Sequence, residues 1–200
     1  MKNSLNELMT AAIDFAKVGG DSTLNHFQKS FELEFKSDNS PVTNADREAE
    51  TIIRKKINRH FPGHGIIGEE YGSENEGSDI VWVLDPIDGT RSFIHGIPFY
   101  TTLIGILIKG VPQVGVIYAP ALNELVSAAT GLGCTFNEKP ANVRRCDTLS
   151  EATFLTTDVN SFDDLGYREP FEHLKNVTKL HRTWGDAYGH MMVAIGRADI

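Results

Sequence analysis

The run Ile80-Val81-Trp82-Val83-Leu84-Asp85-Pro86-Ile87-Asp88-Gly89-Thr90 joins five apolar residues to a proline, a glycine and two aspartates. Its apolar part reads as a short buried strand. Asp85 follows directly, and side chains just past strand ends line the usual binding crevice of sheet proteins. Pro86 and Gly89 make a tight turn, so Asp85 and Asp88 can converge while the Ile87 carbonyl turns inward. One buried run earlier, Gly65-Ile66-Ile67-Gly68 leads straight into Glu69-Glu70. Glu69, Asp85 and Asp88 in one small volume would repel each other and resist ionising together. A divalent cation removes that conflict, and an all-oxygen set without Cys or His favours Mg²⁺ or Mn²⁺ over Zn²⁺. An ordinary turn with an aspartate helix cap uses the same residues, so spacing alone leaves that alternative open. An EF-hand is excluded, because Ile87 stands where a side-chain oxygen is needed.

Gly89-Thr90-Arg91-Ser92-Phe93 then reads as the first turn of a helix, whose free N–H groups make a seat for phosphate. The Thr90 hydroxyl is placed to orient a water. Other phosphate cradles are missing: there is no Gly-x-x-x-x-Gly-Lys-Ser/Thr, and Gly131-Leu132-Gly133 lacks the third glycine of a dinucleotide loop. A Gly-x-Ser-x-Gly nucleophile elbow is absent too. Residues 64–90 hold seven acids and no Lys or Arg. Of these, Glu70, Glu74, Glu76 and Asp79 read as solvated loop charges. The histidines are scattered without metal-ligand spacing.

Upstream, Leu5, Leu8, Met9, Ala12, Ile13 and Ala16 recur at helical spacing, and Gly19-Gly20 is the expected stop. Residues 21–34 suggest a second helix running into an extended stretch, and residues 36–41 a polar loop. Thr43 or Asn44 caps a further helix, with Ala49, Ile52, Ile53, Lys56 and Ile57 on one side and its end near Phe61-Pro62-Gly63. Downstream, residues 101–109, 113–118 and 124–130 read as a β-meander, with turns at Gly110-Val111-Pro112 and Ala119-Pro120. Gly131-Leu132-Gly133 and residues 137–140 break the chain. Residues 152–157, 169–177, 179–184 and 186–196 alternate strand, helix, strand, helix, and Ala198-Asp199-Ile200 looks like a strand beginning. The expectation is a helix-and-sheet domain over residues 1–148 carrying the site, then a partial α/β domain over 149–200.

Composition narrows the class. Over 200 residues, 40% hydrophobic and 23% charged is an ordinary globular balance. Acidic residues outnumber basic ones 27 to 19, for a net charge of −8, which argues against nucleic acid or an anionic membrane as partner. Cys134 and Cys146 form no Cys-x-x-Cys and read as idle free thiols. With no apolar run of membrane-spanning length and no signal peptide, a reducing, cytoplasmic setting is expected.

Four blocks carry a resemblance. Pro41-Val42-Thr43-Asn44-Ala45-Asp46, Gly68-Glu69-Glu70, the run Trp82 to Thr90, and Trp184-Gly185-Asp186 match the inositol monophosphatase family in order and separation, over essentially the whole chain. The family's phosphomonoesterases are metal-dependent, so the resemblance implies an α+β fold layered α/β/α/β/α and hydrolysis of a small phosphorylated metabolite without a covalent intermediate. It implies Glu69, Asp85, the Ile87 carbonyl and Asp88 as ligands of Mg²⁺ or Mn²⁺. It implies that Thr90, oriented by Asp46, positions a metal-activated water together with Glu69, and that N–H groups near Gly89 and Thr90 bind the phosphoryl group. Lys36 matches a lysine near the outer metal, with a solvated loop lysine as the alternative. Thr90-Arg91-Ser92-Phe93 and the block His181 to Gly189 look most like the histidinol-phosphate phosphatase branch. Arg91, Arg182, Gly185 and Asp186 are then the expected substrate contacts. A carboxylate at Asp186 favours a cationic substrate, although a helix N-cap is its plainer role. myo-Inositol monophosphate is the alternative substrate, and a bisphosphate nucleotidase or sugar bisphosphatase a weaker one. A non-catalytic binding or regulatory descendant is the alternative class. The resemblance further implies a homodimer. It also implies a Trp-Asp-x-Ala-x-Gly block beyond residue 200, so the C-terminal part is expected to be incomplete.

Overall fold

A computed structural model describes residues 4–35 and 41–200. Lys36, the expected outer-site lysine, and most of the expected polar loop lie outside the described residues.

Helix α1 (Leu5–Thr23) starts where the Ser4 side chain accepts the Glu7 N–H, and it buries Leu8, Ala12, Phe15 and Ala16. The expected stop at Gly19-Gly20 is wrong. Both glycines lie inside the helix at close crossings: a Cβ on Gly19 would sit 2.6 Å from Ile53, and one on Gly20 would sit 2.7 Å from Tyr118. No second helix forms over residues 21–34. Gln28 takes a left-handed φ of 56°, which ends helical winding, and the chain enters strand β1 (Leu33–Phe35). This pairs with β2 (Pro41–Thr43), which feeds α2 (Asn44–His60). The α2 entry is a capping box: Thr43 Oγ1 accepts the Ala45 N–H, and the Asp46 carboxylate accepts the Thr43 N–H.

The central sheet has the order β10-β9-β8-β7-β6-β5-β3-β4. Its strands are β3 (Gly65–Gly68), β4 (Gly72–Glu74), β5 (Ile80–Asp88), β6 (Thr101–Ile108), β7 (Val111–Ala119), β8 (Glu124–Ala129), β9 (Gly133–Phe136) and β10 (Lys139–Pro140). Only the β3–β5 pairing is parallel. The expected meander is present, but its first turn is Lys109-Gly110, both at positive φ, and Pro112 lies inside β7. Strand β5 does not end at Leu84. It runs on to Asp88 with a register shift against β6 between Asp85 and Asp88. Trp82 and Leu84 point into the core, whereas Val83 is 36% exposed on the other face.

Helices α1 and α2 cover one face, packing Leu8, Phe15, Ile53 and Ile57 on Trp82, Ile104 and Ile106. On the other, α6 (Asp186–Ala194) lays Tyr188 and Met191 against Ala119 and Val126. Gly189 of α6 faces Leu155 in β11 (Thr153–Leu155), which pairs in parallel with β12 (Leu180–Arg182). A short helix, α4 (Ser161–Asp164), and α5 (Arg168–Val177) follow β11, with Phe171 packed on Phe154. Helix, sheet, helix, sheet, helix is the layering expected. Asp199 and Ile200 run beside β11, where the Thr153 carbonyl accepts both of their N–H groups. Cys134 and Cys146 are free, half-buried thiols. Among the described residues no helix is long and apolar enough to cross a membrane.

Candidate active site

Four elements end at one cleft of about 610 Å³. Glu69 arrives from the end of β3, and Gly89 to Ser92 from the end of β5 and α3 (Thr90–Ile94). Thr157 and Asp158 come from beyond β11, and Gly185 and Asp186 from the start of α6. Gly89 has φ 82°, a left-handed turn that glycine takes without strain.

The acids gather around this cleft. Asp85 Oδ1 is buried and has no hydrogen-bond partner. Burial pushes the Asp85 carboxyl well above the usual range, and the nearby charges of Glu69 and Asp88 push it further. It also shares a hydrogen bond with Glu69. Asp88 is raised by burial, opposed by the Ala187 N–H, which it accepts at 2.6 Å at the start of α6. Thr101 Oγ1 donates to the same carboxylate at 3.4 Å. Asp186 is raised by burial and opposed by the Thr157 hydroxyl. Its Oδ2 would lie 3.0 Å from a Cβ on Gly89, so the two sides of the cleft meet there.

Several expected roles change in detail. Asp186 is not the N-cap of α6. Gly185 holds that position, and Asp186 is the first helical residue with a left-handed φ of 53°. Its N–H donates to Thr157 Oγ1 at 2.6 Å. Such a backbone is uncommon outside glycine and concentrates at functional sites. Thr90 is not hydrogen-bonded to Asp46: its hydroxyl donates to the Ile87 carbonyl at 3.0 Å. Asp46 is buried under Thr43, which donates to it from both N–H and hydroxyl. Burial lifts its carboxyl to about 6, against those two hydrogen bonds. Arg182 does not line the cleft. In β12 His181 faces Thr156 at 2.8 Å, so Arg182 falls on the opposite, exposed face and donates to the His181 carbonyl. Of the acids expected to be solvated, Glu74, Glu76 and Asp79 are exposed, Glu74 also pairing with Arg54 at 2.8 Å, and Glu70 is half-buried.

Thr157, Asp158 and Phe99 line the cleft and were not anticipated. The signal for Thr157 and Asp158 was present: they lie just past a strand end, as Asp85 was expected to. Among the described residues no three acidic, histidine or cysteine side chains stand as a ready metal-ligand cluster. Asp88 is turned toward α6 instead. The donor chemistry nevertheless fits a hard cation. All the groups are oxygens, and the partnerless, buried Asp85 oxygen lacks the positive charge that would satisfy it.

The model of the inositol monophosphatase family matches residues 4–200. A histidinol-phosphatase from Chlorobaculum parvum is 42% identical over 190 residues, which cover 94% of this chain and 73% of that protein. A histidinol-phosphatase from Mycobacterium tuberculosis is 37% identical, covering 84% of this chain and 66% of the relative. The solved structure of an inositol monophosphatase from Anabaena superposes with a TM-score of 0.84 at 33% identity, over 98% of this chain and 74% of that one. The chain spans between 60% and 73% of the length of the first curated relatives that it matches.

Proposed function

The chain belongs to the inositol monophosphatase family, and on that footing we propose that it is a Mg²⁺-dependent phosphomonoesterase, acting in the cytoplasm, that hydrolyses L-histidinol phosphate to L-histidinol and inorganic phosphate. Glu69, Asp85, Asp88 and the Ile87 carbonyl would hold Mg²⁺. The chemistry it supplies there is acidification of the attacking water and neutralisation of phosphoryl charge. Glu69 lies at the cleft wall beside Asp85, where it can take the proton of the attacking water. The Thr90 hydroxyl, anchored on the Ile87 carbonyl, orients that water. Water adds to phosphorus as its proton passes to Glu69, the ester P–O bond breaks, and the departing alkoxide takes a proton from solvent. The N–H groups near Gly89 and Thr90 would stabilise the charge that develops on the phosphoryl oxygens. Asp46 acts from behind, holding the entry of α2 in place beneath the site.

The observation that carries the substrate reading is the sign of the cleft wall. Besides the proposed metal ligand Glu69, Asp158 and Asp186 line it, against Arg91 as the single basic residue among the described lining residues. Arg91 suits the phosphate. The acids suit an ammonium and an imidazole, which histidinol phosphate carries and inositol phosphate does not. The histidinol-phosphatases among the relatives support the same choice.

The test is phosphate release from L-histidinol phosphate and from inositol 1-phosphate, with and without Mg²⁺. Turnover should need Mg²⁺ and favour histidinol phosphate. Asp186→Asn should lower kcat/KM for histidinol phosphate by about tenfold or more and leave inositol phosphate turnover unharmed. Preference for inositol phosphate would keep the chemistry and sink the substrate. No turnover of either would point to a non-catalytic binding or regulatory role.

A further inference from the structure

Glu50 and Arg54 form an ion pair one turn apart on α2, with Arg54 Nε 2.7 Å from Glu50 Oε1. Glu50 is fully buried and Arg54 is 6% exposed. Buried pairs of this kind rarely stabilise a protein more than apolar residues of the same size. What this one holds is specific. Glu50 Oε2 accepts the Glu70 N–H at 2.8 Å, and Oε1 accepts the Tyr71 N–H at 3.2 Å. Arg54 donates to the Gly72 carbonyl and, through Nη1, to Glu74 at 2.8 Å. One pair therefore grips every residue of the turn that follows Glu69. On the other side, the Glu69 N–H is tied to the Leu84 carbonyl at 3.2 Å, next to Asp85. Gly68 has no room for a side chain, because a Cβ there would overlap the Glu50 carboxylate.

We infer that Glu50 and Arg54 are positioning residues that set where the Glu69 carboxylate stands relative to Asp85, and thereby set the affinity of the site for a divalent cation. The inference rests on the proposed Mg²⁺ site. Glu50 does not line the cleft, and it bonds the backbone N–H groups of residues 70 and 71 while Arg54 bonds the carbonyl of Gly72. Glutamine at position 50 replaces one accepting oxygen by a donor and turns it against an N–H that needs an acceptor.

The experiment titrates Mg²⁺ into wild type, Glu50→Gln, Arg54→Lys and Val114→Ala by calorimetry, with circular dichroism on each. Val114→Ala is a destabilised control, buried in β7 and paired with Ile106 and Ala129 rather than with the site. Glu50→Gln should bind Mg²⁺ about tenfold more weakly at unchanged helix content, the size typical for a group that supports a metal ligand. KM for substrate at saturating Mg²⁺ should stay within about twofold, and Val114→Ala should bind Mg²⁺ as wild type does. Should Glu50→Gln not fold, Arg54→Lys decides: it keeps a cation on Glu50, loses the fork onto Gly72 and Glu74, and should weaken Mg²⁺ by about threefold. A folded Glu50→Gln or Arg54→Lys with wild-type Mg²⁺ affinity overturns the inference alone. A wild type that takes up no Mg²⁺ overturns the proposed site and the inference together.

Discussion

Asp85 shows what the site costs. Its buried Oδ1 has no partner, and burial together with the charges of Glu69 and Asp88 makes its ionised form unfavourable. A residue kept under such conditions is kept for a ligand. In a chelator, Asp85→Asn should therefore melt higher than wild type, by about 2–4 °C for each kcal/mol of repulsion removed, while losing Mg²⁺-dependent turnover. A lower melting point would mean that the carboxylate supports the fold instead. The sequence made Asp85, Asp88 and Glu69 legible because each stands at the end of an apolar run. It could not show that Thr90 bonds to the Ile87 carbonyl rather than to Asp46, or that Arg182 faces away. Those outcomes depend on which way neighbouring elements turn, and no local pattern encodes that.

Helix α1 shows how an element can contradict its own punctuation. Gly19-Gly20 reads as a stop, yet helical winding continues because α2 and β7 press too closely for side chains there. Gly20→Ala gains about 1 kcal/mol of helix propensity. It also drives a Cβ within 2.7 Å of Tyr118 and 2.9 Å of Pro120. Overpacking of that kind costs about 1–3 kcal/mol, so the net effect should be a lower urea midpoint. A higher midpoint would mean that the crossing relaxes freely. The strands missed in the sequence, β2, β4, β9 and β10, have the same explanation. They are two to four residues long, too short to show an alternation, so only the neighbouring strand defines them.

Across the whole molecule, the last residues are tied back by charge. Asp199 accepts from Arg144 and, at 2.7 Å, from the Thr153 N–H, so one carboxylate joins the linker after β10, strand β11 and the chain end. The Arg144 hydrogen bond, followed by the Thr153 N–H, holds its carboxyl down at about 2. The folded value lies below the unfolded value of about 3.9, so the stabilisation is present above that pH and is lost as pH falls toward 2. Acid titration followed by hydrogen exchange should open the β11 region between about pH 4 and pH 2, and Asp199→Asn should remove that pH dependence. Equal acid profiles for the two proteins would sink the assignment. From the sequence alone came the capping of α2, the meander and the acids that follow the apolar runs, while the order of the layers came from the family resemblance. Periodicity, turn chemistry and motif spacing are local, and they survive in one dimension. The tertiary structure alone decided that Asp88 accepts an N–H at the start of α6, that Asp186 meets Gly89 across the cleft, and that Glu50 and Arg54 brace the turn after Glu69. Those contacts join residues distant in sequence, and they form only when packing brings the elements together.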